Sequence, residues 1–181
     1  MLRNKVMTVL TTAVMTTSAL ASAEILPILG DSYTANLAAA ITMGQVNYND
    51  SDIDAVSSTG IEIGFDCPLL KIENKLIRQR VSIYTTDNDG SKSLNVELNP
   101  HLMIINKDKY TIGAGPSLGF SKLTNDSFDY ETTIFNYGLG VSSRYNIKSN
   151  VFVGAEATMT WTDNDVDTDN TRVFGKVGYQ F

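Results

Sequence analysis

The stretch Tyr110–Phe120, YTIGAGPSLGF, alternates two kinds of side chain, and the fold turns on which kind faces water. One parity reads Tyr110, Ile112, Ala114, Pro116, Leu118 and Phe120; the other reads Thr111, Gly113, Gly115, Ser117 and Gly119. A period of two marks a strand with unlike faces. The pattern recurs downstream. Phe135, Tyr137, Leu139, Val141 and Tyr145 alternate with Asn136, Gly138, Gly140, Ser142 and Arg144. Val151, Val153, Ala155, Ala157, Met159 and Trp161 alternate with Phe152, Gly154, Glu156, Thr158 and Thr160. In a soluble binding barrel the apolar face points inward and the wet face is rich in Lys and Glu. Here the second face is rich in Gly and Ser instead. Small residues suit the lumen of eight strands, which is just wide enough for side chains, with the apolar face left to lipid.

Working outward, eight alternating runs cover about 35–48, 60–70, 76–86, 94–105, 110–121, 134–145, 151–162 and 171–181. Each reaches the roughly 9–11 residues that a tilted strand needs to cross a bilayer. The connections 49–59, 87–93, 122–133 and 163–170 are long or polar, while 71–75, 106–109 and 146–150 are shorter. The first set holds twelve of the twenty acids, and the second is dominated by Lys71, Lys75, Lys107, Lys109 and Lys148. An up-and-down barrel with acidic extracellular loops and short periplasmic turns sorts its connections in this way. Outward-parity aromatics fall near the run ends. Phe120, Phe135 and Trp161 lie toward the long loops, and Tyr110, Tyr145, Tyr179 and Phe181 toward the short turns, as two interfacial girdles would. Tyr84, Met103, Ile105 and Phe174 fall on the inward parity against this trend.

The first 23 residues read as an export signal: Arg3 and Lys5, then a moderately apolar run Val6–Leu20, then Ala21-Ser22-Ala23 before Glu24. Residues 24–34 are expected to form a short periplasmic lead-in, and 35–181 the barrel. The 181-residue chain carries 14 basic and 20 acidic residues for a net charge of −6, a balance unsuited to neutralising nucleic-acid phosphates. One Cys and one His exclude an intramolecular disulfide framework and a multi-His metal site.

The last residues bring in a resemblance. Val177, Tyr179 and Phe181 alternate with Lys176, Gly178 and Gln180, and Phe181 stands last. Together with YTIGAGPSLGF, the strand count and the leader, this resembles the small eight-stranded outer-membrane β-barrel family of Gram-negative bacteria, which includes the transmembrane domain of outer membrane protein A. The resemblance covers essentially all of 35–181. It implies that Val177, Tyr179 and Phe181 form the terminal-strand signal read by the barrel-assembly machinery. It also implies an outer-membrane location, in contact with lipid and lipopolysaccharide.

Nine ionisable side chains share the inward parity: Glu62, Asp66, Arg78, Arg80, Glu97, Arg144, Glu156, Arg172 and Lys176. Lys or Arg facing lipid at the midplane costs roughly 2–4 kcal/mol, so the lumen is their favourable place. Two readings follow, a polar plug that packs the interior and a narrow gated pore lined by ion pairs. His101 shares this face with Glu97 and Asn99, but no nucleophile motif accompanies it, so no catalysis is expected. The run Asp163–Asp169 starts like a calcium loop, yet Thr168 and Phe174 stand where an EF-hand needs Gly and Glu. Cys67 is expected to be a small lipid-facing residue.

The fold expected is therefore all-β, an eight-stranded antiparallel up-and-down transmembrane barrel. It is expected to be monomeric and non-catalytic, without cofactor or metal, with a structural or surface-interaction role. A narrow porin-like channel and a soluble exported lipocalin-like barrel are the alternatives.

Overall fold

The computed structural model describes residues 23–31, 33–49, 55–72, 75–88, 91–125, 130–162 and 169–181. The expected export signal up to Ser22, the acidic stretches 50–54, 89–90 and 126–129, and most of the Asp163–Asp169 carboxylate run lie outside the described residues. Among the described residues eleven strands follow one another: β1 (Ala23–Ile25), β2 (Ala38–Tyr48), β3 (Val56–Asp66), β4 (Leu70–Ile72), β5 (Ile77–Asn88), β6 (Ser91–Leu98), β7 (His101–Asn106), β8 (Tyr110–Asn125), β9 (Tyr130–Asn146), β10 (Val151–Thr162) and β11 (Asn170–Gln180). β6 and β7 are two halves of one stave, interrupted at Asn99–Pro100, where proline has no N–H to donate. Both halves pair antiparallel with β5 and β8. The remaining staves pair with their chain neighbours, and β11 returns to β2, closing an eight-stranded antiparallel up-and-down barrel.

Burial is inverted relative to a water-soluble domain. Ile41 is 65% exposed and Val177 60%, whereas Arg172 is 1% and Glu97 2% exposed. The outer surface carries Met43, Ile61, Ile63, Leu118, Leu139, Val141 and Met159, and the interior carries Thr, Ser, Asn and charged side chains. Phe120, Phe135, Tyr137 and Trp161 form a row of neighbouring rings toward one end, with successive centroids 5.3, 6.5 and 6.1 Å apart. Tyr179 and Phe181 meet at 5.3 Å toward the other.

Three of the four large residues on the inward parity do pack inside. Tyr84, Met103 and Phe174 are buried, and each lies over a glycine of an adjacent stave: Gly60, Gly113 and Gly44 respectively. A Cβ on Gly113 would stand 2.3 Å from Met103 Cε, so the glycine is the space that the methionine fills. Ile105 departs from the expectation. A bulge between Met103 and Ile105 shifts the register, setting Ile105 opposite outward-facing Ile112.

The connections also differ from the expected lengths. β3 ends at Asp66 rather than near 70, so the link to β5 is 67–76 and holds β4, which pairs with β1 in a separate two-stranded sheet. At the other end the loops expected at 87–93 and 122–133 are largely strand. Asp87 pairs with Lys92, and the β8–β9 ladder runs out to Asn125 opposite Tyr130. Backbone hydrogen bonding continues where apolar alternation stops, because ladder hydrogen bonds need no apolar side chain. Alternation therefore marks the part of each stave whose outer face is apolar and not its full length.

The lead-in 24–34 is tied to the barrel. Leu26 N–H donates to Leu69 O at 2.9 Å, and Tyr33 OH donates to Asp66 O at 2.8 Å. Cys67 is correspondingly buried and not lipid-facing, since the chain leaves the barrel wall at Asp66. Gln79 Nε2 donates to its sulfur at 3.3 Å.

Candidate functional site

Period two delivers the charged residues to the lumen, and closure of the sheet brings together side chains far apart in sequence. Toward the end that carries the 126–129 connection, Glu97 of β6 and Arg172 of β11 form a two-pronged pair across the interior. Tyr84 OH donates to Glu97 Oε1 at 2.7 Å and accepts from Arg172 Nη1 at 2.9 Å. Arg172 further donates to Thr160 Oγ1 at 3.3 Å and Ser117 Oγ at 3.4 Å. A paired guanidinium with its other N–H groups satisfied is the geometry in which a buried charge is tolerated.

A second cluster lies further along the barrel. Lys176 Nζ donates to Glu62 Oε2 at 2.6 Å and to Glu156 Oε2 at 3.1 Å. Arg80 Nη1 donates to Glu156 Oε2 at 2.5 Å and lies 3.7 Å from Glu62 Oε2. Arg80 Nη2 also stands against His101, which is fully buried and whose Nδ1 lies 2.9 Å from Ser142 Oγ. A serine and a histidine in contact invite a nucleophilic reading, but a histidine base needs a group such as a carboxylate to orient it and stabilise its cation. Here the Arg80 guanidinium, not a carboxylate, stands against the ring.

The three remaining expected residues join neither set of ion pairs, although Arg78 and Arg144 line the same space as the second cluster. Asp66 accepts from Asn36 Nδ2 at 2.5 Å, and Arg78 Nη2 donates to Asn36 O at 2.9 Å. Arg144 donates to Gln180 Oε1 at 2.6 Å and to Asn146 Oδ1 at 2.8 Å, with its guanidinium 3.9 Å from the centroid of the Phe152 ring. Among the described residues, none of the three has an ion pair within 4 Å. Six of the nine are thus joined in ion pairs, and three hold the adjacent end of the lumen through neutral partners.

Residues without a charge signal complete the arrangement. Gly115 and Gly140 flank His101: a Cβ on Gly115 would lie 3.0 Å from His101 Cα, and one on Gly140 3.2 Å from His101 Nε2. The inward parity contains these glycines, but only the three-dimensional register shows which side chain each accommodates. The space among Glu62, Arg78, Arg80, Arg144 and Lys176 amounts to about 30 Å³.

Val177, Tyr179 and Phe181 lie exposed on the outer surface at one end, with Phe181 71% exposed. Phe174, on the same stave but inside and further from that end, is 5% exposed and meets Tyr84 edge-on at 5.2 Å. Opposite consequences are expected. Phe181→Ser should lower the yield of inserted barrel while leaving the unfolding midpoint of what does insert nearly unchanged. Phe174→Ser should lower the midpoint by several degrees with a smaller loss of yield, through a cavity in the lumen. Quantitative gel-shift yields and thermal unfolding midpoints of both variants separate the two; equal yields would remove any special role for Phe181 in assembly.

The sequence matches the family model described as the outer membrane protein beta-barrel domain over residues 7–181. No match is found among curated proteins. Among solved structures, the chain is similar to the N-terminal β-barrel domain of OprF from Pseudomonas aeruginosa, with 13% identity and a TM-score of 0.54 over 82% of this chain and 100% of that one. Neisserial surface protein A is similar at 12% identity and a TM-score of 0.55, over 80% of this chain and 96% of that one. The attachment invasion locus protein Ail of Yersinia pestis aligns at 13% identity and a TM-score of 0.51, with the same coverage. At these identities the structural matches speak to fold.

Proposed function

The chain belongs to the outer membrane protein β-barrel family, and from that premise we propose that it is a monomeric, non-catalytic outer-membrane protein whose lumen is a packed polar plug. The observation that carries this reading is the inverted burial, with Glu97 and Arg172 inside and Ile41, Leu139 and Val177 outside. An apolar belt on a closed barrel is stable in lipid, which solvates it, and would drive aggregation in water. The ion pairs and the roughly 30 Å³ of space around the second cluster favour a plug over an open pore. Cleavage after Ala23 follows export in this reading, and the acidic connections face the cell exterior. A structural or surface-interaction role fits a sealed barrel of this kind, since the activity then resides at its exposed end.

The direct test is fractionation. The protein should co-purify with outer membranes, require detergent for extraction, and migrate faster on unboiled than on boiled gels. Recovery in a detergent-free soluble fraction would sink the membrane reading. Planar-bilayer recording tests the plug separately: the wild type should show no steady conductance, and a constant open level would replace the plug with a narrow channel.

A further inference from the structure

A second space, distinct from the ionic lumen, opens at the end nearer the 126–129 connection and has a volume of about 510 Å³. That volume lies within the roughly 300–1,000 Å³ of small-molecule sites. Its two sides differ in chemistry. Along β5, β6, β8 and β9 runs an unbroken chain of uncharged hydrogen-bonding side chains. Thr86 Oγ1 and Ser93 Oγ are 2.6 Å apart, and Asn95 Nδ2 donates to Ser93 Oγ at 2.7 Å. Ser121 donates to Asn95 Oδ1, and Asn136 Nδ2 donates to Ser121 Oγ. Tyr48 joins the chain through a hydrogen bond with Thr86. The opposite side, on β2 and β3, presents the buried side chains of Val46 and Val56, and Leu123 and Ile134 add apolar lining beside the polar chain on β8 and β9. Tyr84 lies at the inner limit, where its hydroxyl belongs to the Glu97–Arg172 group and seals the floor.

From this division we infer that the vestibule is a binding site for an uncharged pyranose sugar. A pyranose has hydroxyls around its edge and an apolar C–H face, matching the polar arc and the valine side. A charged solute would leave most of its water for a wall in which Lys92 is the only ionisable group besides the tyrosines among the described lining residues. A purely apolar solute would strip water from the Thr86–Asn136 arc without replacing its hydrogen bonds. Because those side chains already orient one another, little ordering remains to be done on binding. A free saccharide and the headgroup of a glycolipid share this chemistry.

The test uses the full chain refolded in phosphocholine nanodiscs, followed by backbone amide chemical shifts. Methyl β-D-glucopyranoside is added in solution in one arm, and a monoglucosyl diacylglycerol is built into the disc in the other. Saturable shifts at Thr86, Ser93, Asn95, Ser121 and Asn136 in either arm are expected, and the responding arm identifies the source. Val46→Trp, which fills the vestibule, and Asn95→Leu, which breaks the polar chain, should each weaken binding by about tenfold or more. The inference is overturned if neither glycoside gives saturable shifts there. It is equally overturned if n-hexanol or acetate binds the same residues as tightly, or if both variants fold and keep wild-type affinity.

Discussion

Replacing Glu97 with glutamine is expected to destabilise the folded barrel by about 3–5 kcal/mol, the range for breaking a buried ion pair by removing one partner. Glu97 and Arg172 are 2% and 1% exposed, so neither side chain reaches bulk water. Glutamine keeps the size and a carbonyl acceptor for Tyr84 OH, but it leaves the Arg172 guanidinium without a counter-charge. The double variant Glu97→Gln with Arg172→Met should recover much of the loss, because it removes the stranded charge as well. Lys122 and Glu131 provide the comparison, a 2.9 Å pair whose side chains are 47% and 63% exposed. Glu131→Gln should change stability by no more than about 0.5 kcal/mol, as exposed pairs contribute little. Reversible urea unfolding in lipid vesicles measures all three. A loss for Glu97→Gln no larger than that for Glu131→Gln would show that the interior is hydrated enough to screen its charges.

Gly115→Ala should destabilise the barrel by about 3 kcal/mol, at the upper end of the usual cost of forcing atoms into a filled interior. The added Cβ would lie 2.0 Å from Pro100 O and 3.0 Å from His101 Cα, both backbone atoms. Neither can yield by changing rotamer. The β6–β7 break and the β8 backbone must therefore move apart, disturbing the placement of His101 between Arg80 and Ser142. Gly175→Ala is the matched control. The nearest atom to its Cβ is Met43 O at 3.8 Å, an ordinary contact, and the substitution should be near neutral. Denaturant midpoints of the two variants decide the matter: equal midpoints would mean that Gly115 is not needed for the close approach.

What the sequence determined by itself is the set of properties that follow from a period of two. The alternation in Tyr110–Phe120 and in Val151–Trp161, with mostly Gly, Ser and Thr opposite the apolar parity, specified strands, an apolar exterior and a narrow interior. Eight such runs specified the barrel. These are local properties, carried by neighbours in the chain, and the apolar-faced span of each stave was legible for the same reason. Strand ends beyond it were not, because ladder hydrogen bonds at Asp87–Lys92 or Asn125–Tyr130 need no apolar side chain. The burial of Cys67 and the outward turn of Ile105 were hidden as well, since a strand end and a bulge each shift the phase by which parity is counted.

Only the tertiary structure decided which inward side chains meet. Glu97 and Arg172 are separated by 75 residues, and Glu62 and Lys176 by 114, so their pairing depends on closure and stagger of the whole sheet. The same stagger left Asp66, Arg78 and Arg144 among neutral partners and set Gly115 beneath His101. It also gathered Thr86, Ser93, Asn95, Ser121 and Asn136 from four staves onto one wall of the vestibule. Parity specifies a face, whereas contact across a lumen requires the height of each residue along the barrel, and that height is fixed by the register of every stave together.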